Sequence, residues 1–172
     1  MAPLARWLGE FLSWCVITLM VALTTVVVVA VVYRKLGASL SWYDEVASIL
    51  LAWVTYFGAA LAALRRSHIG FDGVLLTIPL PWRIYVACAA EVLVIGFFAL
   101  LAWAGWTVLQ VLEGTTLISL TWVPVQLTQS IIPIGAVLFI IAELLSLPGY
   151  LREIRAGISS EHPTMTDMTE QP

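Results

Sequence analysis

Glu91 and Glu143 are carboxylates set inside long apolar runs. An ionisable group there is costly in lipid, which makes it the first functional suspect. Either could relay a proton or pair with a basic side chain. Glu91 lies about two helical turns into the third run, and Glu143 about one turn from the end of the fourth. Arg65, Arg66 and Arg83 gather at the same end of the chain's apolar segments. An interfacial ion pair, or a carboxylate reaching back to water, therefore accounts for both as well as transport does. His68 falls in a connector and His162 in the tail, so neither is placed to hold a haem between helices. Cys15 and Cys88 have no CxxC partner and read as small packing residues. No His, Cys, Asp and Glu cluster has metal-ligand spacing, and GxSxG and HExxH are absent. The residues nominate no nucleophile with its base, so no enzyme and no resident cofactor is expected.

The elements that must position these groups are four apolar runs at about residues 11–33, 46–64, 84–109 and 125–147. Each is near or above the ~20 residues with which a helix crosses a ~30 Å hydrocarbon layer. Backbone polar groups in lipid must be satisfied within the protein, which makes these runs helices, even the β-branched stretch 26–32. Of 172 residues, 61% are hydrophobic and only 11% charged, against about 25% charged in an ordinary soluble domain. No basic stripe suggests nucleic acid. The expected fold is an all-α integral membrane protein of four transmembrane helices, with one domain over residues 1–158 and a disordered polar tail at 159–172.

Lys and Arg set the orientation. Arg6, Arg65, Arg66, Arg83, Arg152 and Arg155 fall on one side and Arg34 and Lys35 on the other. The asymmetry predicts both termini and the middle connector in the cytoplasm. The first run is too long for the h-region of a cleaved signal peptide and reads as an uncleaved span.

Shorter patterns refine this. Leu4, Trp7, Leu8, Phe11 and Leu12 follow a helical stripe, which fits either a separate interfacial helix or the first turns of a longer first span. Gly58, Ala59, Ala60, Ala62 and Ala63 give the second span a small-residue face on which another helix could pack closely. The middle connector is apolar enough to skim the headgroups as a short interfacial helix ended by Pro79 and Pro81, with Trp82 and Tyr85 as anchors. Pro133 predicts a kink in the fourth span. There is no internal repeat of the kind self-sufficient transporters carry.

Residues 34–72 carry the most specific pattern. Arg34 ends the first span; Trp42 and Glu45 open the second; Trp53 and Phe57-Gly58-Ala59 lie within it; Arg65 or Arg66, then His68, Ile69 and Asp72, follow it. Asp44 and Glu45 sit where the helix macrodipole favours negative charge, and Arg34 is placed to pair with Glu45 across the connector. Capping plus an aromatic belt would account for these residues on physical grounds alone. In this order and spacing they resemble the small membrane subunit, DctQ-like, of tripartite ATP-independent periplasmic (TRAP) transporters. The resemblance implies a scaffold subunit in the bacterial inner membrane. Its partners would be a large multi-span permease, which holds the substrate and sodium sites, and a periplasmic receptor that captures an organic acid. Arg34, Trp42, Glu45, Trp53, Gly58, Arg65, His68 and Asp72 would be the partner and scaffold contacts. Two alternatives stand beside it: a homo-oligomeric transporter or channel working through Glu91, and a membrane enzyme or redox carrier. The substrate and the helix that faces the large subunit are not legible in this chain.

Overall fold

The computed structural model describes residues 2–38, 40–65 and 79–156. Five helices are named here in chain order: α1, Ala2–Lys35; α2, Tyr43–Leu64; α3, Leu80–Val111; α4, Val125–Gln129; and α5, Ile131–Ala156. Among the described residues there are four segments long and apolar enough to cross a membrane, α4 and α5 together forming the last. The expected all-α, four-span fold is therefore present.

Three details resolve or refine the expectation. First, α1 is continuous over 34 residues, about 51 Å at 1.5 Å per residue. The stripe from Leu4 to Leu12 is thus the start of the first span and not a separate helix. Second, Pro79 is the extended N-cap of α3, and the following proline lies in its first turn. The prolines open the third span, as expected of residues whose missing N–H is no loss in a first turn. Trp82 and Tyr85 stay exposed and meet edge to face at 6.5 Å. The rest of the proposed interfacial helix, and the tail from 157, lie outside the described residues. Third, the fourth span is broken at Ser130, where α4 ends and α5 begins. Pro133 lies three residues further on. Its ring crowds the carbonyl four residues back, that of Gln129, which is where α4 stops.

The helices form a bent row rather than a closed bundle. α1 packs on α2, α2 on α5 and α5 on α3; α1 touches α5 only slightly, and α1 and α3 stand at the two edges. Small residues allow these approaches. A Cβ on Gly135 would lie 2.7 Å from the Cβ of Tyr56, and one on Gly105 would lie 2.8 Å from Ile132 Cγ2 and 3.0 Å from Pro133 Cδ. The small-residue face of α2 is divided. Ala60 and Ala63 are fully buried within the chain, whereas Gly58 faces open space. Ala60 joins Leu8 and Leu12 of α1 under Leu138 and Leu145 of α5. Ala63 joins Phe139 and Ala142, and Phe139 stacks on Phe98 of α3 at 3.7 Å.

Candidate interaction site at the Glu45 end

At the end of the row that holds Glu45, two connectors are folded tightly. Gly37 terminates α1 at φ 81°, a left-handed conformation that glycine adopts without steric cost. The Gly37 N–H donates to Arg34 O and the Ala38 N–H to Tyr33 O, the paired bonds of a Schellman ending. The longer connector, residues 112–124, forms a small hairpin after Gly114 at φ 80°. The Leu117 N–H donates to Val123 O at 3.1 Å, Val125 N–H to Thr115 O at 3.0 Å, and Val123 N–H closes the tip on Leu120 O at 2.9 Å.

Glu45 holds that hairpin. Its Oε1 accepts the Ile118 N–H and its Oε2 the Ser119 N–H, each at 2.9 Å. The Ser119 hydroxyl also donates to Ser41 O at 3.2 Å. Two backbone donors on one carboxylate make charge-assisted bonds, the stronger class of hydrogen bond. The hairpin is thereby fixed over the start of α2, with Ile118 and Trp122 almost wholly exposed at its tip.

This corrects the pairing expected between Arg34 and Glu45. Arg34 Nη2 donates to the Tyr43 hydroxyl at 3.2 Å, and its guanidinium lies 5.9 Å from the centre of that ring. The reason is helical phase. Tyr43 and Glu45 are two positions apart, about 200° around the helix, so the residue that faces α1 turns its neighbour toward the hairpin.

The remaining expected residues are distributed along α2. Trp42 is its N-cap, with its carbonyl accepting the Val46 N–H at 3.2 Å. Trp53 donates its indole N–H to Thr128 O at 3.2 Å, joining α2 to α4 just before the Ser130 break, and meets Phe57 edge to face at 5.9 Å. Gly58 touches nothing within 4 Å of an added Cβ. Arg65 donates to Ser13 Oγ at 2.8 Å, and that hydroxyl donates to Gly9 O. His68 and Asp72 lie outside the described residues. Arg34–Tyr43 and Arg65–Ser13 therefore clamp α1 to α2 at both ends. The 21 residue-to-residue steps from Ser13 to Arg34 rise about 32 Å, the thickness of a hydrocarbon core.

Arg83, Glu91 and Glu143 are buried toward the Arg65 end of α3 and α5. Among the described residues no group of three or more His, Cys, Asp or Glu could hold a metal ion.

Sequence reasoning missed Tyr43, Ser13, Thr128, and the Ile118 and Ser119 amides. The one signal for the hairpin was Gly114 among Thr and Ser residues between two apolar runs. Nothing in the sequence marked the backbone amides that Glu45 binds.

Compared with known proteins, residues 23–152 match the family model described as tripartite ATP-independent periplasmic transporters, DctQ component. No curated protein matches the chain.

Proposed function

Since the chain belongs to the DctQ family, the small membrane component of TRAP transporters, we propose that it is the scaffold of a sodium-coupled importer. In this reading a large permease subunit carries the sodium and substrate sites and moves the solute. A periplasmic receptor delivers the solute, an organic acid. The chain sits in the bacterial inner membrane with both termini in the cytoplasm, so the Glu45 end faces the periplasm. The family match carries the reading.

The architecture supports it. A bent row of helices leaves broad apolar flanks on α1 and α3, including Val21, Val28, Leu93, Leu100 and Trp103. Without a hydrophobic force between helices in lipid, association rests on close packing, and a row offers more lateral surface for that than a closed bundle. The hairpin fixed by Glu45 supplies a rigid outer feature for receptor contact. Arg34, Trp42, Glu45, Trp53 and Arg65 act within the scaffold, holding its helices and hairpin, and Gly58, His68 and Asp72 are the candidates for contact with a partner.

The test is purification of the tagged chain from its native membrane. A much larger hydrophobic subunit is expected to accompany it in stoichiometric amount, and uptake in vesicles should require that subunit, the receptor and a sodium gradient. Uptake by this chain alone would reverse the reading. Glu91→Gln separates it from a self-sufficient transporter, since a scaffold tolerates that change and a carboxylate-driven carrier does not.

A further inference from the structure

An open-sided slot of about 410 Å³ lies between α1 and α2, lined by Phe11, Trp14, Thr18 and Leu19 on one side and Trp53 and Phe57 on the other. Its lining is almost wholly apolar. Beside it Leu8, Leu12 and Ala60 pack under Leu138. The Trp53 indole, tied to Thr128 O, fixes the far end. From Phe11 to Leu19 the slot extends over eight residues, about 12 Å, close to the ~15 Å depth of one leaflet. It begins at the level of the Ser13–Arg65 bond, near one edge of the hydrocarbon layer bracketed above.

We infer that this slot holds one acyl chain of a phospholipid with an anionic headgroup, drawn from the leaflet at the Arg65 end. Two features select this occupant. The depth matches a single chain entering from that edge and not a helix crossing the bilayer. The exposed described charges at that end are Arg6, Arg65 and Arg152 against Glu10, an excess of cations facing the headgroup layer. Juxtamembrane Lys and Arg attract lipids with anionic headgroups. The aromatic walls supply flat apolar area to a chain at little entropic cost to the protein. The inference stands whether or not the scaffold reading holds.

The experiment uses the full-length chain, purified in mild detergent with whatever it binds, supplied with phosphatidylglycerol or with phosphatidylcholine, and examined by native mass spectrometry. One phosphatidylglycerol is expected to survive activation that strips the bulk lipid. Thr18→Trp, which fills the slot, should lower that retained adduct about tenfold. Thr25→Trp, on an exposed part of α1, should leave it unchanged. In a Cys88→Ser background, Cys15, which also lines the slot, should react more slowly with N-ethylmaleimide once phosphatidylglycerol is added. That reading does not depend on whether the tryptophan variant folds. Equal retention in both tryptophan variants, equal retention of the two lipids, or an unprotected Cys15 would overturn the inference. So would loss of a co-purified subunit from Thr18→Trp with no lipid adduct in the parent complex, because the slot would then seat a protein side chain.

Discussion

Arg34 and Glu45 illustrate how far a residue can be read from its neighbours. Both were legible as polar residues at the adjoining ends of the first two spans, and opposite charges a short connector apart suggest a pair. The structure instead gives Arg34 to Tyr43 and Glu45 to the Ile118 and Ser119 amides. A double-mutant cycle separates the two arrangements. Arg34→Ala and Tyr43→Phe should be non-additive in the thermal stability of the chain, by a few tenths to about 1 kcal/mol for an exposed polar contact. Arg34→Ala and Glu45→Gln should add. Coupling between Arg34 and Glu45 would restore the simple ion pair. Glu45→Gln keeps the side chain's size, but an amide has one acceptor oxygen where the carboxylate has two. One of the two hairpin amides then faces an NH₂ group. Hydrogen exchange at Ile118 and Ser119 should quicken in Glu45→Gln while exchange in the middle of α2 stays constant. Unchanged exchange at the tip would show that the carboxylate does not hold the hairpin.

Among the elements, the spans were readable because lipid leaves a long apolar run little choice but helix. Their packing was not, because hydropathy gives length and says nothing about phase. Gly58 looked like the natural close-packing glycine of the small-residue face, yet it faces open space, and the tight approach belongs to Gly135 against Tyr56. A Cβ only 2.7 Å from the Tyr56 Cβ demands that one helix backbone move. Gly135→Ala should therefore destabilise the chain by about 1–3 kcal/mol, the usual cost of overpacking. Gly58→Ala should be neutral or slightly stabilising for the isolated chain. The thermal transitions of the two variants in detergent compare them directly, and equal transitions would contradict the α2–α5 packing. The helix break was half legible. Pro133 announced it, but its place at Ser130 follows from the clash one turn earlier, and its brace, the bond from Trp53 to Thr128 O, joins residues 75 positions apart. Trp53→Phe keeps most of the aromatic bulk and removes that bond. A loss of about 0.5–1.5 kcal/mol is expected for one neutral hydrogen bond.

For the molecule as a whole, the arrangement α1–α2–α5–α3 determines how stability depends on company. Among the described residues the chain's own core is small, with two clusters, centred on Leu8, Leu12 and Ala60 and on Ala63, Phe139 and Ala142. Of the four spans, the first is the least buried and the last the most. A row of helices with so little self-contact gains packing whenever another protein covers its flanks. Anything that binds the folded chain and not the unfolded one raises its apparent stability in proportion to the logarithm of its concentration over its dissociation constant. The isolated chain should therefore melt well below the assembled transporter, and the difference should shrink as the complex is diluted toward its dissociation constant. Circular dichroism melts of the two preparations, in the same detergent and at several dilutions, measure this. If the isolated chain melts at the same temperature as the assembly, its flanks are sufficient in lipid or detergent alone, and intimate scaffolding of a larger subunit is excluded.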